Sequence, residues 1–191
     1  MEALLVSTGV VALAEIGDKT QLLAILLAVR FRTPVPIILG ILCATIFNHT
    51  LAAILGTYIG AWLGQNLSGI LAVSFLAMGL WTLVPDKLDK EPRLFENFGA
   101  FGATLISFFL IEMGDKTQLA TMALAARFNN IALVASGTTL GMMIADVPAV
   151  YLGDILANKI PLRLVRMAAA AIFILLGLAA ALNWGRRFVW A

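Results

Sequence analysis

The chain has 191 residues, of which 61% are hydrophobic and only 13% are charged, with a mean hydropathy of +0.97 and a formal net charge of +2. A soluble domain carries about 25% charged and roughly 45–50% apolar residues. This composition therefore excludes a water-soluble globule, and the small net charge gives no indication of a nucleic-acid partner. We expect one all-α integral membrane domain whose main partner is the lipid bilayer.

Six apolar stretches follow one another along the chain, each close to the ~20 residues that a helix needs to cross a bilayer. Prolines, glycines, asparagines and basic residues separate them, as is typical of turns between spans. The segment 86–96 is the one clearly solvated loop. The predicted transmembrane helices are 3–29, 36–60, 67–84, 97–126, 131–156 and 163–183.

Lysine and arginine are distributed unevenly between the two ends of these predicted spans. One side receives Arg30, Arg32, Lys87, Lys90, Arg93, Lys159, Arg163 and Arg166, and the other receives Arg127, Arg186 and Arg187. Because cytoplasmic loops are enriched in basic residues, we expect loop 86–96 inside the cell. Both termini are then predicted to be non-cytoplasmic, in the inner (plasma) membrane.

The sequence contains an internal repeat with an offset of 97 residues. Residues 15–31 read EIGDKTQLLAILLAVRF and residues 112–128 read EMGDKTQLATMALAARF, and the same offset aligns Gly40 with Gly137 and His49 with Asp146. We interpret the chain as two three-helix repeats, 1–85 and 97–185, joined by loop 86–96. Since each repeat holds an odd number of spans, the second is predicted to be inverted, a design of many secondary transporters.

Each copy of the motif places charged side chains inside a predicted span, where an ionisable group costs roughly 2.5–3.5 kcal/mol unless it is compensated. On a continuous helix Glu15, Asp18 and Lys19 would share one face, because residues three and four apart are neighbours. Gly17 and Gly114 permit either close helix approach or a helix break, and both remain open. The candidate metal ligands are Glu15, Asp18, Glu112 and Asp115.

Further polar residues near the two motifs are candidates for a supporting or proton-coupling role. The lysines either tether carboxylates or extend toward an interface, and we interpret His49 as a hydrogen-bonding or packing residue rather than a ligand. Asp146 is a candidate ligand or proton carrier, since a buried, unpaired acid is costly in a membrane. The supporting set is Thr20, Gln21, Thr117, Gln118, Lys19, Lys116, Asn48 and Asp146.

The ligand chemistry favours a hard divalent cation as a transported substrate and implies no resident cofactor. Cys43 and His49 are the only residues of their types, and an all-oxygen set suits calcium, manganese or magnesium better than zinc or copper. Four carboxylates and two ammonium groups sum to −2, which one such cation neutralises. Protons would compete for the same oxygens, so cation/proton antiport is our leading hypothesis.

Other functions remain open at this point. Mirrored acidic groups would also fit the filter of a passive cation channel, and the same acids could serve an exporter of a cationic organic solute such as lysine. The sequence shows no nucleophile–base pair of the kind that would indicate an enzyme. The sequence leaves open whether the protein forms a homodimer.

The motif Glu-x-Gly-Asp-Lys-Thr, present twice in a small six-span chain, resembles the Gdt-type cation/proton exchangers. The resemblance covers nearly the whole chain, and both motif copies are complete. It implies export of manganese, and in some members calcium, in exchange for protons. It also implies that Glu15, Asp18, Glu112 and Asp115 bind the cation. The preference for manganese over calcium comes from this resemblance alone.

Overall fold

The computed structural model of the protein describes residues 1–85, 96–159 and 162–189, with side chains for all of these except 96, 153–159, 162 and 184–189. The predicted solvated loop lies outside the described residues, apart from Glu96. Short 3₁₀ turns occupy Gly64–Asn66 and Glu96–Phe98. The helices of the described chain are α1 (Glu2–Glu15), α2 (Lys19–Phe31), α3 (Pro34–Leu63), α4 (Leu67–Thr82), α5 (Gly99–Glu112), α6 (Lys116–Phe128), α7 (Ile131–Lys159) and α8 (Leu162–Val189).

The expectation of an all-helical membrane protein is confirmed for the part of the chain that the structure describes, where no strand occurs. Within the described ranges, three stretches are long and apolar enough to cross a membrane: Pro34–Thr82, which holds α3 and α4, then Ile131–Leu152 and Arg163–Asn183. The helix α5 is apolar but shorter. Large apolar side chains such as those of Tyr58 and Trp62 lie on the outside, as expected of a surface that contacts lipid.

The predicted spans 3–29 and 97–126 are each divided into two helices by a break at the motif. α1 ends at Glu15 and α2 begins at Lys19, while α5 ends at Glu112 and α6 begins at Lys116. Our prediction that Glu15, Asp18 and Lys19 share one helix face is therefore wrong, because no helix continues through these residues. The same correction applies to the second copy of the motif.

The two breaks have the same backbone conformation. Gly17 and Gly114 have φ of 82° and 81°, a left-handed region that glycine enters without steric penalty. The aspartate that follows is extended in both copies, with φ and ψ of −84° and 171° at Asp18 and −82° and 171° at Asp115. Of the two roles left open for the motif glycines, the structure shows the helix break.

The motif helices of each repeat pack against the long helix of the other repeat. α1 and α2 contact α7, whereas α5 and α6 contact α3, and α3 and α7 contact each other. Glycines allow the close approach: a Cβ on Gly40 would lie 2.8 Å from Cβ of Thr104, and one on Gly137 would lie 2.6 Å from the Leu4 carbonyl oxygen. The two repeats are thus interlocked by reciprocal contacts.

The buried apolar side chains form two clusters, and each motif break lies where the chain passes from one to the other. The first cluster contains residues of α1, α4, α6 and α8, including Phe75 and Phe173. The second contains residues of α2 and α5, with the first half of α3 and the second half of α7. Since α1 and α2 belong to different clusters, as do α5 and α6, the motif residues connect the two.

Candidate functional site

Five buried acids form the candidate site. Glu15, Glu112 and Asp146 are 0% exposed, and Asp18 and Asp115 are 3% exposed. The carboxylate of Glu15 is repelled by the negative charges of Asp146, Glu112 and Asp115. That of Asp146 is repelled by the charges of Glu112 and Asp18. The structure therefore brings the acidic residues of both motif copies together, and it adds Asp146 from α7 to them.

The two lysines of the motifs are paired across the repeats. Nζ of Lys19 lies 3.0 Å from Oδ1 of Asp115, and Nζ of Lys116 lies 3.5 Å from Oδ1 of Asp18. Each lysine thus contacts the aspartate of the other copy. Both ammonium groups therefore lie beside carboxylates, and the role of the lysines in the site stays a prediction.

Glu112 has a hydrogen-bond partner on each of its carboxylate oxygens. Nε2 of His49 lies 2.9 Å from Oε1, and the Asn48 amide Nδ2 donates to Oε2 at 3.3 Å. The same Nδ2 also lies 3.2 Å from the Phe109 carbonyl oxygen. Glu112, His49 and Asn48 are buried, so α3 holds this glutamate in one position.

Glu15 has a different environment, although it occupies the equivalent place in the first motif. The Thr20 hydroxyl donates to its Oε2. Its Oε1 has no hydrogen-bond partner among the described residues, and neither carboxylate oxygen of Asp146 has one either. The charge of Asp146 acts on Glu15, and that of Glu112 acts on Asp146, whereas Glu112 also has a histidine partner.

The two glutamines hold the breaks in place. Oε1 of Gln21 accepts a hydrogen bond from the Gly17 N–H at 2.9 Å, and Oε1 of Gln118 accepts one from the Gly114 N–H at 2.7 Å. Nε2 of Gln21 also donates to the Ala145 carbonyl oxygen at 3.1 Å, next to Asp146. The glutamines therefore close the loop between each pair of helices, and their role as ligands remains a prediction.

Within the described residues, no group of three His, Cys, Asp or Glu side chains is arranged to hold a metal ion directly. In this arrangement the cations beside Asp18 and Asp115 are the lysine ammonium groups. The buried hydroxyl of Thr117 has no hydrogen-bond partner in the described part of the chain, so it remains available as a further oxygen ligand.

Sequence reasoning missed the crossed lysine pairs and the bond from His49 to Glu112. The alignment of position 49 with position 146 was visible, and so was the duplication, but neither indicates which repeat supplies the partner. The exchange of partners follows from the packing of α1 and α2 on α7 and of α5 and α6 on α3. Long-range contacts of this kind leave no local signal.

The fold and the site define a class of protein. Ionisable residues within membrane helices are rare, and they mark pathways of ions, protons and substrates. A multi-pass helical membrane protein with four buried acids from two copies of one motif, and a fifth from α7, has the features of a membrane transport protein.

Comparison with known proteins identifies the family. The model of the family described as "Divalent cation/proton antiporter GDT1" matches residues 3–90 and 100–186. The chain belongs to this family of transporters, which is not a class of enzymes. It is 50% identical over 183 residues to a protein of Vibrio cholerae described as "Putative manganese exporter", covering 95% of this chain and 91% of that protein.

Plant members are more distant. The chain is 31% identical over 201 residues to GDT1-like protein 3 of Oryza sativa subsp. indica, covering 91% of this chain and 71% of the relative. It is 28% identical over 217 residues to GDT1-like protein 5 of Arabidopsis thaliana, with coverage of 90% and 92%. No solved structure matches the chain.

Proposed function

We propose that this protein exports a divalent cation, with Mn²⁺ as the preferred substrate and Ca²⁺ as a second one, in exchange for protons. The observation that carries the proposal is the convergence of buried acids from two motif copies, each with its aspartate paired to the lysine of the other copy. The family supports divalent-cation transport, and the description of the Vibrio relative supports manganese.

The cation binds to Glu15, Asp18, Glu112 and Asp115. Because the ammonium groups of Lys19 and Lys116 lie beside the two aspartates, a cation that binds there must displace them. A divalent ion brings the same total charge as the two ammonium groups that it replaces at these oxygens. Binding therefore combines the entry of the cation with the release of both crossed ion pairs.

Protons compete with the cation for the same carboxylates. Two or more carboxylates close together in a medium of low dielectric constant favour proton uptake once no other cation compensates them. The exchange is obligatory if the protein switches the side to which its site opens only when the site carries the cation or protons. The empty site must not make this switch. The proton gradient then drives export of the cation against its own gradient.

The six-span inverted architecture is part of this proposal. α1 and α2 have 14 and 13 residues, so at ~1.5 Å per residue each extends about 20 Å. Neither alone would cross a ~30 Å hydrocarbon core, but the two in succession would. The same holds for α5 and α6. The repeats 1–85 and 97–185 then have opposite orientations, with both termini outside the cytoplasm.

Cysteine labelling tests this topology. In a Cys43→Ser background, a cysteine introduced at Glu2 should react with a membrane-impermeant thiol reagent added to intact cells, and a cysteine at Lys90 should react only after the cells are opened. The reverse pattern would contradict the orientation. Labelling of both positions in intact cells would contradict the membrane placement of the loop.

Transport by purified protein in sealed vesicles tests the function. Mn²⁺ uptake should saturate, should be faster against an opposing proton gradient, and should drop at least about tenfold in Glu15→Gln and Glu112→Gln. Thr82→Val is the control, because its buried hydroxyl is bonded only to the carbonyl of Met78 within α4. Flux that does not saturate would indicate a channel, and competition by lysine would indicate an organic-cation exporter. Uptake that does not depend on the pH gradient would show that transport is not coupled to protons.

A further inference from the structure

The two halves of the site differ although the motifs that build them are the same. Position 49 in α3 and position 146 in α7 are equivalent by the offset of 97 residues, but they carry histidine and aspartate. His49 contacts Glu112 of the second motif, whereas the charge of Asp146 acts on Glu15 of the first. Both motif glutamates therefore lie within the electrostatic reach of Asp146, but Glu112 also has a hydrogen bond with His49.

The carboxylate of Glu112 is satisfied by protein groups. Both of its carboxylate oxygens have partners, namely His49 and Asn48, and the partners come from one helix. A carboxylate held in this way has a fixed position and loses part of the benefit of meeting a cation. His49 and Asn48 are therefore positioning residues for Glu112.

The acids around Glu15 have fewer partners in the described part of the chain, where Thr20 donates to Oε2 of Glu15. Oε1 of Glu15 and both oxygens of Asp146 are buried and without a hydrogen bond. A buried polar group without a partner costs about 1–3 kcal/mol, and more when it is charged. Three oxygens in this condition on two neighbouring acids are the arrangement that a bound cation would satisfy best.

We propose that Asp146 is a ligand of the transported cation, and that the cation binds off-centre, closer to Glu15 and Asp146 than to Glu112. The inference rests on the proposed function and deepens it, because it adds a fifth acid to the site and ranks the two glutamates. Calcium and manganese both bind carboxylate oxygens, so the ligand class is a hard divalent cation.

Direct binding of Mn²⁺ to the full chain in lipid nanodiscs tests the ranking. Asp146→Asn should raise the Kd for Mn²⁺ at least about tenfold, as should Glu15→Gln, and Glu112→Gln should have a smaller effect. The matched control is Thr138→Val, two turns earlier on α7, because its buried hydroxyl is bonded only to carbonyls of its own helix. That variant should bind Mn²⁺ within about twofold of the unmodified protein.

A second pair of variants separates ligand loss from misfolding. Asparagine has nearly the same size as aspartate, so Asp146→Asn removes the carboxylate without changing the packing. Asp146→Glu keeps a carboxylate and should bind Mn²⁺ more tightly than Asp146→Asn. For the positioning role, His49→Leu should weaken binding, and His49→Gln should restore it, because its amide nitrogen can donate to Glu112. Because His49 acts through Glu112, its loss should weaken binding no more than Glu112→Gln does.

The possible results separate a failure of the proposed function from a failure of the assignment of Asp146 as a ligand. If the unmodified protein neither binds nor transports Mn²⁺ or Ca²⁺, or if Glu15→Gln behaves like the control, the proposed function fails. If Glu15→Gln loses binding but Asp146→Asn retains it, only the assignment of Asp146 fails. A larger effect of Glu112→Gln than of Glu15→Gln would overturn the off-centre position.

Discussion

Replacement of Gly114 by alanine isolates the energetic contribution of the helix break. A Cβ on Gly114 would have no heavy atom within 4 Å, so the substitution introduces no clash. The backbone there has φ of 81°, and a left-handed conformation costs a residue with a Cβ roughly 1–2 kcal/mol. We therefore expect Gly114→Ala to lower the free energy of unfolding by about that amount, from backbone strain alone.

Gly9→Ala is the matched control, since a Cβ on Gly9 also has no neighbour within 4 Å but this glycine lies inside α1. Alanine is more stable than glycine in a helix interior by roughly 0.5–1 kcal/mol, so the two variants should shift stability in opposite directions. Reversible unfolding in mixed micelles, followed by circular dichroism, measures both shifts. If Gly114→Ala is as stable as Gly9→Ala, the motif does not hold a left-handed break and α5 continues into α6.

Two further substitutions test the packing and the crossed pairs by the same unfolding assay. Gly56→Ala should destabilise by about 1–3 kcal/mol through overpacking, because its Cβ would lie 2.1 Å from the Met122 carbonyl oxygen; a neutral result would contradict the close contact of α3 with α6. Lys116→Met should destabilise the protein more than Lys19→Met does, because the Lys116 side chain is 6% exposed and that of Lys19 is 25% exposed. Loss of one partner from a fully buried ion pair costs about 3–5 kcal/mol. The opposite order would refute this reasoning.

Much of the helical architecture could be predicted because it depends on local composition. The stretches predicted from hydropathy at 36–60 and 67–84 correspond to α3 (Pro34–Leu63) and α4 (Leu67–Thr82). Apolar runs between turn-forming residues set these limits, and such signals are contained in the sequence itself.

The break at the motif could not be predicted, because the residues 15–19 are compatible with a helix as well as with a turn. What stabilises the turn is Gln21, which accepts the Gly17 N–H and donates to the Ala145 carbonyl oxygen of α7. The second of these bonds spans 124 positions in the chain. Tertiary contacts of this kind decide between the two backbone conformations.

The identity of the candidate site residues was accessible from the sequence, but their partners were not. The cost of buried charge indicated that each acid needs compensation, but the sequence did not indicate which group supplies it. In the structure Lys19 compensates Asp115 and Lys116 compensates Asp18. Because sequence spacing describes only one repeat, it cannot reveal an exchange of partners between two.

The contacts between the repeats also explain why the two halves of one duplicated chain can have different sites. Two identical subunits related by symmetry could not. The bond from His49 to Glu112, the bond from Gln21 to the Ala145 carbonyl and both lysine pairs run from one repeat to the other. In a symmetric pair of identical repeats, each motif glutamate would meet the same residue. In a single duplicated chain, one of the two equivalent positions is a histidine that bonds Glu112, and the other is an aspartate that adds a negative charge near both glutamates. The duplication therefore supplies two copies of the acidic motif, and the difference between positions 49 and 146 gives the two copies unequal environments.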